Sequence, residues 1–157
     1  MAKFAENTSV SADRSRAEIE KTVQRYGATG FAYGWDQDRA LITFQMNDRR
    51  IRFILKMPNR SDAEFWQTPS GRERKQPQAY EAWEQSTRQR WRALALAVKA
   101  KLEAVESGIT TFEEEFLAHI VLADNTTVAE RTLPMIAKIY ESGKMMPLIP
   151  EMKQLSA

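Results

Sequence analysis

The chain has 157 residues, 43% of them hydrophobic, and a net charge of +2, which supports a real core and excludes global disorder. It contains no cysteine, so a disulfide scaffold, thiolate metal sites and cysteine nucleophiles are excluded. No apolar run approaches the roughly 18 residues of a membrane span and the N-terminus has no signal-peptide core, so a cytoplasmic protein with no membrane partner is expected.

The small net charge hides a segregation. Residues 39–101 hold 14 basic and 6 acidic residues, whereas residues 102–130 hold 7 acidic residues and none that is basic. Such blocks form either a polyanion-binding surface or two complementary patches that meet within or between chains.

In chain order, residues 1–10 read as a flexible or loosely docked arm. A helix is expected over 12–26, with Ser11 as N-cap, Asp13 favoured by the helix dipole and Gly27 as the stop. Ala12, Ile19, Val23 and Tyr26 form its packing stripe. Phe31, Tyr33 and Trp35 then alternate with small residues as a first strand. RALITFQMNDRRIRFILKMP, residues 39–58, reads as a hairpin about an Asn47-Asp48 turn. One side carries Ile42, Phe44, Ile51, Phe53 and Leu55, and the other Arg39, Leu41, Thr43, Gln45, Arg50, Arg52, Ile54 and Lys56.

Two registers are open for the first strand. A two-residue loop at Gln37 and Asp38 pairs Trp35 with Ala40 and sends the three aromatics to the core side. A three-residue loop sends them to the basic side, since one residue of slip inverts every side chain.

Residues 58–77, with three prolines and one glycine, read as an overlong surface loop anchored by Phe65 and Trp66. A helix of about 45 Å is expected over 77–107, with Tyr80, Trp83, Thr87, Trp91, Leu94, Val98, Leu102 and Val105 in one stripe. Arg88, Arg92 and Lys99 lie on another of its faces. Thr110 with Glu113 predicts a capping box for a short helix, and Thr127 with Glu130 another for a last helix ending at Ser142 before Gly143. Residues 120–128 suit a small hairpin or extended link, and Pro134 should start or kink the last helix. The fold class expected is α+β: an N-terminal helix, a three-stranded antiparallel meander, one long amphipathic helix and short C-terminal helices. The chain divides into an arm (1–10), a helix–sheet–long helix core (12–106), a helical subdomain (109–143) and an apolar, proline-containing tail (144–157), all in one domain.

Little in the chain points to catalysis. The single histidine, His119, can share a helical face with Glu115, but no spacing fixes the further ligands a metal needs. Asp36 and Asp38 suit a turn. No glycine-rich phosphate loop or nucleophile elbow is present, so no cofactor and no catalytic residue is expected. The order helix, three strands, long helix resembles that of double-stranded RNA-binding domains, single-strand annealing proteins and restriction-endonuclease-like nucleases. The nuclease family requires an acid where this chain has Ile54 before Leu55 and Lys56, which argues against that enzyme.

Three stretches, AENTSVSADRSRAEIEKTVQRYGATGFAYGW, RQRWRALALAVKAKLEAVESGITTFEEEFLAHIVL and SGKMMPLIP, resemble a set of small uncharacterised proteins encoded by tailed bacteriophages and prophages. The resemblance implies a phage context and carries no catalytic residues. The favoured expectation is a non-enzymatic accessory protein binding nucleic acid, single-stranded DNA being one option. Arg39, Arg50, Arg52 and Lys56 of the sheet, with Arg88, Arg92 and Lys99 of the helix, would contact phosphates in a shared groove, and Tyr33 and Trp35 would stack on bases if the register allows. The alternative is an interaction module for a host or phage protein, or a homo-oligomer, using the long helix, the acidic segment and the apolar tail.

Overall fold

The computed structural model describes residues 3–151. Helix α1 (Ala12–Arg25) precedes strands β1 (Gly30–Trp35), β2 (Arg39–Met46) and β3 (Arg49–Lys56), which form an antiparallel sheet in sequence order. A short helix α2 (Ala63–Trp66) sits inside the long loop, followed by α3 (Gln76–Glu106), α4 (Phe112–Phe116), a 3-10 turn (Leu117–His119) and α5 (Val128–Ser142). The expected α+β class and element order are those observed.

Alternation makes the sheet two-faced. Ile42, Phe44, Ile51 and Phe53 are buried in one cluster with Ile19 and Val23 of α1, Trp91, Leu94, Val98 and Leu102 of α3, and Phe112 and Phe116 of α4. Helices therefore cover the inner face, and the residues between point the other way. Burying this set supplies the main stabilisation, each large side chain contributing about 1.5–3 kcal/mol. Phe116 joins the C-terminal helices to the sheet by edge-on contacts with Phe44 and Phe53, at centroid distances of 6.0 and 6.3 Å.

Both turns are tight. Asn47 and Asp48 have φ of 51° and 58°, the left-handed pair that matches strand twist in a two-residue hairpin. At the other turn the Asp36 carboxylate accepts from the backbone N–H groups of Asp38 and Arg39, and the Asp36 N–H donates to the Arg39 carbonyl at 2.9 Å. The loop is thus the two-residue form at Gln37 and Asp38, and Trp35 pairs with Ala40, Tyr33 with Ile42 and Phe31 with Phe44. The aromatics are on the helix-facing side, yet only Phe31 packs against the core. Tyr33 and Trp35 are 51% and 75% exposed, because β1 is the edge strand and the helices do not extend over it at that end.

One local expectation shifts, and the open alternatives are decided. The first capping box uses Thr111 and Glu114, not Thr110 and Glu113, which starts α4 at Phe112 and turns Phe112 and Phe116 together into the core. Of the two places open for Pro134, at the start of the last helix or within it, it lies inside α5. Of the two forms open for the N-terminal arm, flexible or loosely docked, residues 3–10 take the docked one, lying against α3, where the Gln85 side-chain amide donates to the Glu6 and Thr8 carbonyls. The small hairpin forms: Val121 bridges Thr127, and the Val121 N–H donates to Arg50 at the free edge of β3.

Two stability measurements check this account. Phe116→Ala should cost about 3–5 kcal/mol in denaturant unfolding. Asp48→Gly should raise stability by about 1 kcal/mol, since glycine adopts the left-handed backbone without the Cβ penalty.

Candidate nucleic-acid interface

The outer face of the sheet is built from the alternate positions. Cross-strand pairing aligns Arg39 with Lys56, Leu41 with Ile54, Thr43 with Arg52 and Gln45 with Arg50, while β1 contributes Gly34, Ala32 and Gly30 beside Leu41, Thr43 and Gln45. The result is an apolar strip at Leu41 and Ile54 with cations at both ends and a floor of small residues along β1. Ile54 is 47% exposed, and Leu41 and Thr43 are half-buried. At the hairpin end, Thr29, Gln45, Arg49 and Arg50 border a groove of about 610 Å³.

The cations are held differently. Lys56 is exposed and has no ion-pair partner among the described residues, whereas Arg39 pairs with Asp36 at 3.2 Å. The Arg50 guanidinium donates to the Asn125 side-chain oxygen at 2.7 Å, a neutral partner that fixes the arginine without cancelling its charge. Arg52 donates to the Asn125 carbonyl at 2.6 Å and lies 3.7 Å from the Glu130 carboxylate, with its side chain only 17% exposed. The same Glu130 carboxylate accepts from the Thr127 N–H in the α5 capping box, so the start of α5 is fastened to β3 through Arg52. Asp124 steadies this clamp. The Thr126 hydroxyl and N–H, and then Arg131, hold its carboxyl at about 2.

The expected shared groove does not form. Arg88, Arg92 and Lys99 share one face of α3, which meets α1 at Arg92 and the loop around Thr68 and Arg74 at Arg88, away from the outer sheet face. Arg88 donates to Gln85, Arg92 pairs with Glu18 of α1, and Lys99 is exposed. Tyr33 and Trp35 are also on the inner side. Arg39, Arg50, Arg52 and Lys56 are therefore the four residues of the expected set that share a surface.

Sequence reasoning missed a cleft on the inner side at the end of the sheet. It has a volume of about 440 Å³ and is lined by Trp35, Trp83, Trp91, Arg16 and Arg60. The Arg60 guanidinium lies 4.4 Å from the Trp83 ring centre and 4.7 Å from that of Tyr80. The Arg16 guanidinium lies 4.9 Å from Tyr33 and 5.2 Å from Trp91. One signal was present: Arg60 belongs to a loop too long to be a mere connection.

His119 is half-buried and stacks on Phe53 at 3.9 Å between ring centres. Its expected neighbour Glu115 is 3.0 Å from the Lys101 ammonium instead. No group of three potential metal-binding side chains occurs among the described residues, and no helix there is long and apolar enough to cross a membrane. No family model, curated protein or solved structure matches the chain.

Burial lowers the His119 pKa from its ordinary 6.5, the Lys101 charge lowers it further, and a backbone hydrogen bond with Arg52 opposes both. The unfolded chain therefore takes up this proton at higher pH than the folded one. The stability contribution should be complete above about pH 6.5 and decline as the pH falls from there towards the folded-state value. Denaturation at a series of pH values should show this decline, and His119→Phe, which keeps the stacked ring, should flatten it.

Proposed function

We propose that the chain is a non-enzymatic phage accessory protein of the host cytoplasm that binds nucleic acid, single-stranded in preference to duplex. The observation that carries this reading is the outer sheet face, on which Arg39, Arg50 and Lys56 are exposed around the apolar strip at Leu41 and Ile54, with Arg52 held by Asn125 and Glu130. A strand of nucleic acid can lay phosphates along the cations and bases over Leu41 and Ile54. The glycines and alanine of β1 let its backbone come close. Among the described residues no helix projects from this face to enter a duplex groove, which favours the single strand.

Binding of a fluorescent oligothymidylate at several salt concentrations tests the reading. Affinity should fall steeply with salt, because each neutralised phosphate releases counterions. Replacing Arg39, Arg50 and Lys56 together by alanine should reduce the magnitude of the log–log slope by about 2. Absent binding, or binding indifferent to salt, would rule it out.

A second reading, an interaction module, has its own support. Helix α5 is amphipathic but none of its residues is buried; Leu133 and Tyr140 are 61% and 86% exposed, and Met145 and Ile149 continue the apolar surface. Under this reading, removing residues 144–157 and replacing Leu133 by Asp should shift the mass in light scattering or abolish capture of a protein partner. An unchanged mass with unchanged capture would reject it.

A further inference from the structure

We infer that the cleft between Trp35 and Arg60 is a binding site for one nucleotide unit, taking a base against the Trp35 indole and its phosphate on the Arg60 guanidinium. The inference deepens the nucleic-acid reading of the sheet and rests on it for the strand, though not for the site.

The cleft is pre-formed by hydrogen bonds that fix its walls. The Trp83 indole N–H donates to the Pro58 carbonyl at 2.8 Å, the Trp66 indole N–H donates to the Arg60 carbonyl at 3.0 Å, and the Met57 N–H donates to the Asp38 carbonyl at 2.9 Å. These bonds tie the loop after β3 to α3, to α2 and to the turn before β2. Arg60 is thereby laid on two aromatic faces, which orders its guanidinium before any ligand arrives. It has no carboxylate partner among the described residues. A stacked guanidinium keeps its N–H edge for an anion, and a phosphate fits that edge.

Trp35 supplies the complementary surface. It is 75% exposed on an edge strand, whereas Trp91 deeper in the same cleft is buried. An indole left this open offers a π-face to a base of any identity. A volume near 440 Å³ lies within the range of small-molecule sites and accommodates a nucleotide. A quaternary ammonium ligand fits poorly, because guanidinium groups already occupy the faces of Trp83, Tyr80, Tyr33 and Trp91.

The position suits a strand that also crosses the sheet. Trp35 pairs with Ala40, next to Arg39, and Arg39 pairs with Lys56 on the outer face. A strand whose phosphates reach Arg39 and Lys56 can turn past the end of β1 and place its next base on Trp35.

Titration with an oligothymidylate, with deoxythymidine monophosphate and with inorganic phosphate separates the cases, read by tryptophan fluorescence and calorimetry. Trp35→Ala should weaken oligonucleotide binding about tenfold, Trp35→Tyr should restore most of it, and Arg60→Ala should weaken both the oligonucleotide and the mononucleotide. Unchanged oligonucleotide affinity in Trp35→Ala and Arg60→Ala overturns the cleft while leaving the sheet reading intact. Trp35-dependent binding of the mononucleotide without oligonucleotide binding upholds the cleft as a free-nucleotide site and overturns the sheet reading. Phosphate binding alone, or no binding by any of the three, overturns the cleft. Circular dichroism of each variant establishes that it is folded.

Discussion

Strand register is the constraint on which the rest depends. The Asp36 carboxylate fixes a two-residue turn before β2, and Asn47 and Asp48 fix another before β3. Together they decide which side chains meet the helices. A single residue of slip in β2 would exchange Phe44 for Thr43 or Gln45 in the core, which burial strongly disfavours. Turn chemistry and the alternating pattern agree, so the inner face is specified twice.

Charge segregation finds part of its meaning within the chain. The acidic segment folds back onto the basic one, with Glu115 on Lys101 and Glu130 on Arg52, and Asn125 holds Arg50 and Arg52 of β3. This clamp uses charge to attach α5 to β3, yet it leaves the sheet's other end, at Arg39 and Lys56, open. The acidic helix face and the basic sheet face are thus linked at one corner and do not cancel over the whole surface.

Exposed aromatics and exposed cations occur on opposite sides of one sheet edge. On the outer face, arginine and lysine surround an apolar strip; on the inner face, arginines lie on aromatic rings around a cleft. The outer surface follows from strand alternation, and the inner cleft from Trp35 standing exposed at the end of the edge strand. Had α1 or the loop after β3 covered that end, Trp35 would be core and the cleft would not exist.

Much of the fold was legible in sequence because it follows from local rules: period-two alternation in residues 39–56, a three-to-four spacing through Trp91, Leu94, Val98 and Leu102, and caps at Ser11 and Thr127. These signals act over a few residues, so the chain carries them without reference to anything distant. The capping box at Thr111 differed by one residue because the packing of Phe112 and Phe116 selects between two adjacent threonines. What only tertiary structure decided was which surfaces face one another. The α3 cations lie away from the outer sheet face that carries the sheet cations, Trp35 has the register of a core residue without the burial, and Arg60 meets Trp83 from a loop. Such placements depend on where helices end and how a long loop returns, which no periodicity encodes.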